Sequence, residues 1–204
     1  MRQRVPLLLI VLLWLCALAM GEWALLGFEL SPGKPAAATE TWPRESRLSR
    51  SSVTFELLLF AHPRCPCTRA TIGELALLMA QCSENIRARV LFFRPADAKD
   101  EWTETDIFRA AAAIPGVTAL WDDGGIEANR FGARTSGQVF LYDFEAQLRF
   151  QGGITSSRGH AGDNGGRQAI CDILAGAPGR TECPVFGCPL ENICPFEEGV
   201  PCKN

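Results

Sequence analysis

Hydrophobic and polar positions divide the chain into an apolar start, an aperiodic stretch and a longer region where strand-like and helix-like patterns alternate. Val5 to Phe28 is apolar and carries a single charge, Glu22, near its far end, which is long enough to span a bilayer. From Ser31 to Ser52 the chain is rich in Pro, Ala, Ser and charge without periodicity, and reads as an extended tether. Val53 to Ala61 begins in alternation and turns continuously apolar, as a strand buried on both faces does. Ile72, Leu75, Ala76, Met79 and Cys82 then recur at helical spacing, which puts Cys82 on the core-facing stripe as an inert buried thiol. Val90 to Phe93 predicts a second buried strand, Asp97 to Ala113 a helix stopped by Pro115-Gly116, and Val117 to Trp121 a third strand. After the turn Asp122 to Gly125, Ile126 to Phe131 predicts a short helix ended by Gly132. Val139 to Tyr142 and Gln147 to Gln151 predict an antiparallel hairpin, and the glycine-rich loop Gly152 to Gly166 leads into a last helix ending about Ala175. This order predicts an α/β fold, a mixed sheet with helices on both faces. Four segments follow: an N-terminal transmembrane helix over 1–30, a flexible linker over 31–50, a folded domain over 51–176 and a Cys-rich C-terminal tail over 177–204.

The chemistry concentrates between the first strand and the helix after it, in His62-Pro63-Arg64-Cys65-Pro66-Cys67-Thr68-Arg69. Proline biases its predecessor away from helix and suits the first helical position, so Cys65 reads as the N-cap, Pro66 as N1 and Cys67 as N2. A sulfur there faces unsatisfied backbone N–H groups and the positive helix end, which favour thiolate. Arg64, Arg69 and His62 add positive charge nearby. A disulfide between cysteines at i and i+2 is strained and easily reduced. The plainer alternative is that the two cysteines cap a helix or pair elsewhere.

Composition narrows the setting. A chain of 204 residues with 47% hydrophobic content can hold one domain with a proper core plus appendages. A net charge of −3 gives no general reason to expect nucleic-acid binding. Nine cysteines point to an oxidising compartment. Arg2 and Arg4 before the apolar stretch keep the N-terminus cytoplasmic, so the expected placement is single-pass, with the domain on the exported side of the membrane. A cleavable signal peptide, with Ala17-Leu18-Ala19 as its cleavage site, is the rival. Cys16 reads as a membrane-buried thiol. In the tail, Cys183, Cys188, Cys194 and Cys202 allow three pairings; structural disulfides pinning the tail are the first expectation, ahead of a second redox relay or a metal site. Cys171, in the last helix, either stays buried or joins them.

The element order, with two thiols at the first strand-to-helix junction, resembles the thioredoxin-like superfamily over about residues 50–176. More narrowly, the strings His62 to Cys67 and Gly152 to Asn164 resemble a bacterial group, the RedB proteins. Two departures stand out: thioredoxins carry Cys-x-x-Cys, and their cis-proline before the strand facing the dithiol would fall near Thr135 to Gln138, where this sequence has none. The resemblance implies that the loop after the last strand borders the dithiol, bringing Arg158, His160 and Asp163 toward Cys65 and Cys67. His160 then serves as acid/base or third metal ligand, or is simply a solvated loop histidine; His62 orients the cysteine turn or packs in it.

The leading functional expectation is a thiol–disulfide oxidoreductase without cofactor, in which Cys65, the more exposed thiol, attacks and Cys67 resolves. Its partners would be exported thiol or disulfide proteins and a redox partner protein. The alternative is a copper-binding protein using Cys65, Cys67 and His160, although two histidines and three methionines leave no Met- or His-rich copper-loading segment. A thiol peroxidase stands third.

Overall fold

A computed structural model of the chain describes residues 4–82, 84–95, 98 and 105–190, with side chains from residue 7. The helix α1 (Arg4–Glu29) is followed by β1 (Phe55–Ala61), α2 (Pro66–Cys82), β2 (Ile86–Arg94), α3 (Asp106–Ala112), β3 (Val117–Asp123), α4 (Ile126–Phe131), β4 (Gln138–Tyr142), β5 (Leu148–Gly152) and α5 (Gly165–Leu174). Within α1, Leu7–Glu29 has a mean hydropathy of 2.2 and is long and apolar enough to cross a membrane.

The five strands form one sheet in the order β3-β2-β1-β4-β5. β1 runs parallel to β2, and β2 to β3, while β4 lies antiparallel to both β1 and β5. Because β1 is central, its side chains are buried on both faces, which explains its unbroken apolar run. Leu57, Leu59 and Ala61 pack with residues of α2, α3 and α5 on one face. Leu58 and Phe60 pack with Ala128, Phe131, Phe140 and Tyr142 on the other.

That second face explains why the segment expected as a free tether is docked instead. α4 has only six residues, too few to cover it, and Ala36, Ala38, Trp42 and Leu48 complete the cover. The Trp42 ring stands edge-on to Phe131 at 4.9 Å and to Tyr142 at 5.4 Å between centroids. Backbone bonds fix the path: Ala37 N–H donates to Gly132 O (2.9 Å), Trp42 N–H to Ala146 O (2.9 Å) and Leu148 N–H to Glu40 O (2.8 Å).

Element boundaries follow their local signals. Thr105 caps α3 through its hydroxyl, which accepts from Phe108 N–H, and Asn164 caps α5 by accepting from Arg167 N–H. The helix expected over Asp97 to Ala113 is therefore Asp106–Ala112 among the described residues; Asp97 and residues 99–104 lie outside them. At the two ends of α4, Gly125 and Gly132 both take left-handed conformations.

Two cysteine expectations are corrected. Cys82 is not an inert core thiol: it forms a disulfide with Cys171, joining the end of α2 to α5 at a Cα–Cα distance of 5.7 Å. Among the described residues of the tail no disulfide forms, and backbone bonds hold the segment. Cys183 and Cys188 are free thiols, while Gln151 N–H donates to Thr181 O (2.9 Å), Cys183 N–H to Gln151 O (3.1 Å) and Gly33 N–H to Val185 O (2.7 Å). A chain edge with unpaired N–H and C=O groups accepts such a partner readily. Cys194 and Cys202 lie outside the described residues.

The Cys82–Cys171 bridge closes a loop of 89 residues, for which the chain-entropy account gives about 4–5 kcal/mol of stabilisation. The double substitution Cys82→Ala with Cys171→Ala should therefore lower the urea midpoint of the full chain substantially, by a free energy of about 2–5 kcal/mol. An unchanged midpoint would show that the bridge does not constrain the unfolded chain.

Candidate active site

β1 ends at Ala61 and the chain turns through His62 to Cys65 before α2 begins at Pro66. Cys65 N–H donates to His62 O (3.2 Å) and Thr68 N–H to Cys65 O (3.0 Å), so Cys65 stands at the mouth of the helix with Cys67 in its first turn. Cys65 is only 3% exposed and Cys67 is half-buried. This reverses the expected accessibility of the pair.

What covers Cys65 is the C-terminal segment. Ser136 N–H donates to Cys188 O (2.8 Å), Leu190 N–H donates to Arg134 O (3.0 Å), and Thr135 forms an antiparallel bridge with Pro189. Residues 187–190 thus dock as a short extra strand on the loop before β4. The approach is so close that a Cβ at Gly187 would collide with Ser136 O, and only glycine fits there. Cys65, Cys67 and Cys188 end with their sulfurs all within 4.8 Å of one another; among the described residues this is the only such group of three or more His, Cys, Asp or Glu ligand atoms.

The loop before β4, Thr135 to Gln138, where the fold resemblance expects a cis-proline, holds no proline, and no peptide bond among the described residues is cis. Ser136 serves as a polar hub instead. Its Oγ accepts from His62 N–H (2.8 Å) and shares a hydrogen bond with Thr68 Oγ1 (2.8 Å), and Thr68 Oγ1 also lies 3.2 Å from His62 O as a donor. Gly137 N–H donates to Phe60 O (2.8 Å), tying the loop to the end of β1.

These contacts divide the three thiols by acidity. Burial alone would raise the Cys65 thiol, but hydrogen bonds from the Cys188 side chain and backbone, the Thr68 side chain and the Cys67 backbone outweigh it and hold the thiol below its ordinary value. Cys67 is pushed up by burial and by the neighbouring Cys65 charge, against the pull of Arg158. Cys188 is pushed up to about 12 by burial, by its hydrogen bond to Cys65 and by the charges of Cys65 and Cys67, with Arg158 again opposing. Cys65 is therefore the most acidic of the three thiols, with Cys67 and Cys188 both held above the ordinary value.

Of the other expected residues, Arg158 reaches the site and His160 and Asp163 do not. The Arg158 guanidinium donates to Gly187 O (2.5 Å) and Ser31 O (3.2 Å) and lies over the Phe28 ring at 4.9 Å. His160 is exposed, its Nδ1 2.9 Å from Arg158 O, and it does not join the sulfur group. Asp163 is solvent-exposed and pairs with Arg167 at 3.5 Å. His62 is buried, with its ring stacked on Phe93 at 6.0 Å and Nδ1 accepting from Arg64 N–H (3.2 Å); burial and then the Arg64 charge lower its pKa, keeping the imidazole neutral.

Sequence reasoning missed Thr68, Ser136, Glu74 and the placement of Cys188. Glu74 is fully buried in α2 and anchors the glycine-rich loop, accepting from Gly162 N–H (2.7 Å), Asn164 Nδ2 (3.0 Å) and Arg167 Nη1 (2.6 Å). The usable signal was a glutamate on the apolar stripe of α2.

No protein-family profile and no curated protein sequence matches the chain. Among solved structures, it is similar to an uncharacterised conserved protein of Geobacillus kaustophilus, with 16% identity, a TM-score of 0.55 and 79% of this chain and 92% of that one covered. It is likewise similar to a hypothetical protein of Sinorhizobium meliloti 1021, with 22% identity, a TM-score of 0.56 and coverage of 78% and 93%. A more distant similarity, with 17% identity, a TM-score of 0.44 and coverage of 72% and 96%, is to a putative thiol:disulfide interchange protein DsbE of Chlorobium tepidum. Three parallel strands flanked by an antiparallel pair in the order β3-β2-β1-β4-β5, with helices on both faces, give this chain a thioredoxin-like fold.

Proposed function

We propose that this chain is a thiol–disulfide oxidoreductase, anchored by α1 in the bacterial inner membrane with its domain facing the periplasm, and that Cys65 and Cys67 are its redox pair. The observation that carries this reading is the opposed tuning of the two thiols, Cys65 lowered and Cys67 raised, in one helical turn. The Cys65 thiolate attacks one sulfur of a partner's disulfide; the partner's S–S bond breaks and a mixed disulfide to Cys65 forms. Cys67, still protonated, supplies its proton to the departing thiolate and becomes a thiolate itself. It then attacks Cys65 Sγ, closing the Cys65–Cys67 disulfide and releasing the second partner thiol, so two electrons pass to the partner. The same steps reversed oxidise a partner dithiol. No cofactor enters, and the partners are exported thiol or disulfide proteins and a redox partner protein.

Two features of the site serve this chemistry. The strained i, i+2 disulfide is easily opened. The cover of residues 187–190 keeps Cys65 from bulk solvent until it is displaced, and the displacement costs a few backbone hydrogen bonds of about 1 kcal/mol each.

Incubating reduced Cys67→Ser protein with glutathione disulfide should leave glutathione on Cys65 as a stable mixed disulfide visible by mass, whereas Cys65→Ser should accumulate none at Cys67. Equal trapping by both variants would remove the division of roles. Gly187→Ala, by forcing the covering segment off Ser136, should raise the rate at which N-ethylmaleimide modifies Cys65 by about tenfold or more, the equivalent of one or two hydrogen bonds. A rate equal to that of the wild type would show that the segment does not gate access.

A further inference from the structure

The cluster holds three sulfurs, and thiol exchange uses two. We propose that Cys65, Cys67 and Cys188 form a trigonal thiolate site for Cu(I). This goes beyond the exchange reading and does not depend on it.

Ligand type and ligand number select the ion. Thiolates are soft donors suited to Cu(I), zinc and iron–sulfur centres, but a structural zinc site takes four protein ligands. Here three sulfurs lie within 4.8 Å of one another, and no fourth His, Cys, Asp or Glu joins them among the described residues. The spacing is close to what a three-coordinate ion needs. Metal–thiolate bonds of about 2.3 Å in a trigonal plane put the sulfurs about 4.0 Å apart, so the group closes by less than about 1 Å.

The surroundings fit the charge. Three thiolates and one Cu(I) carry a net charge of −2, and the site lies at the N-terminus of α2 with the Arg158 guanidinium beside it. Ligand placement is fixed before binding: Cys65 and Cys67 by the first turn of α2, and Cys188 by the bond from Ser136 N–H to its carbonyl. Burial of Cys65 at 3% exposure shields the ion on that side, while Cys67 and Cys188 are half-buried. Binding moves no electrons; each thiol that becomes a ligand gives its proton to solvent and copper stays monovalent. Because the ion takes both sulfurs of the exchange pair, a copper-loaded chain cannot close the Cys65–Cys67 disulfide until the metal leaves.

The test uses the full chain in detergent, reduced with a phosphine and titrated anaerobically with Cu(I) against the chromophoric chelator bathocuproine disulfonate. One Cu(I) per chain is expected, with X-ray absorption showing three sulfur neighbours. Cys188→Ser, which keeps the approximate size and replaces the S–H donor by an O–H donor, should lose at least tenfold in affinity and drop to two sulfurs, and Cys67→Ser should do the same. His160→Ala should bind as the wild type does. No competition with the chelator, two sulfurs in the wild type, or loss with His160→Ala but not Cys188→Ser would each overturn the proposal. Redox titration of the metal-free Cys65/Cys67 pair, followed by mass after alkylation, tests the exchange reading separately.

Discussion

The hydrogen bond from Ser136 N–H to Cys188 O, at 2.8 Å, sets the character of the site. It draws the C-terminal segment across the mouth of α2, and three properties follow from that one approach. Cys65 becomes buried, it gains the Cys188 side chain and backbone as hydrogen-bond donors, and a third sulfur enters reach of the pair. The same serine accepts from His62 N–H and bonds Thr68, so the loop before β4, the cysteine turn and the tail are held through one residue. A proline at that position could offer neither the N–H nor the hydroxyl.

Backbone pairing, with no disulfide among the described residues of the tail, makes the cover separable. Five backbone bonds fix residues 181–190, from Thr181 through Leu190, each contributing about 1 kcal/mol. The Cys82–Cys171 bridge, in contrast, ties the far end of α2 to α5 and leaves the thiols at the start of α2 out of the structural pairing. Rigidity and reactivity are therefore assigned to different cysteines. The glycine-rich loop is fixed on the rigid side: buried Glu74 binds Gly162, Asn164 and Arg167, and removing one partner of a buried ion pair is costly. Its anchoring holds Arg158 where the guanidinium can reach Gly187 O.

Periodicity made the sheet and helices legible because burial dictates it. β1 reads as a two-face buried strand since it is the central strand, and Pro66 marks the start of α2 as expected. The short helix Ile126–Phe131 and its glycine stop were read to the residue. What failed was everything that depends on segments without periodicity. Residues 31–50 look like a tether because docking through backbone bonds and one Trp leaves no repeating pattern. Cys188 lies between Gly187 and Pro189, a context that reads as a turn, and its approach to Cys65 is set by long-range pairing with Ser136. Likewise, the bridge between Cys82 and Cys171, 89 residues apart, has no local signature. His160 was placed by analogy with a loop position; the loop does border the thiols, but through Arg158.

If Cys65 and Cys67 exchange disulfides as proposed, a free thiol beside them is a hazard, because it can attack the very disulfide the pair forms. The acidity pattern removes that hazard. With Cys65 ionised, Cys188 is pushed up to about 12, so at neutral pH it is a thiol and a poor nucleophile, while its S–H stabilises the Cys65 thiolate. When Cys65 enters a disulfide, the charge and the hydrogen bond that raise Cys188 vanish, but burial, the largest cause, persists. Burial thus keeps the Cys188 thiol above its ordinary value with or without a charge on Cys65, and its S–H is one of the contacts that hold the Cys65 thiol below its own.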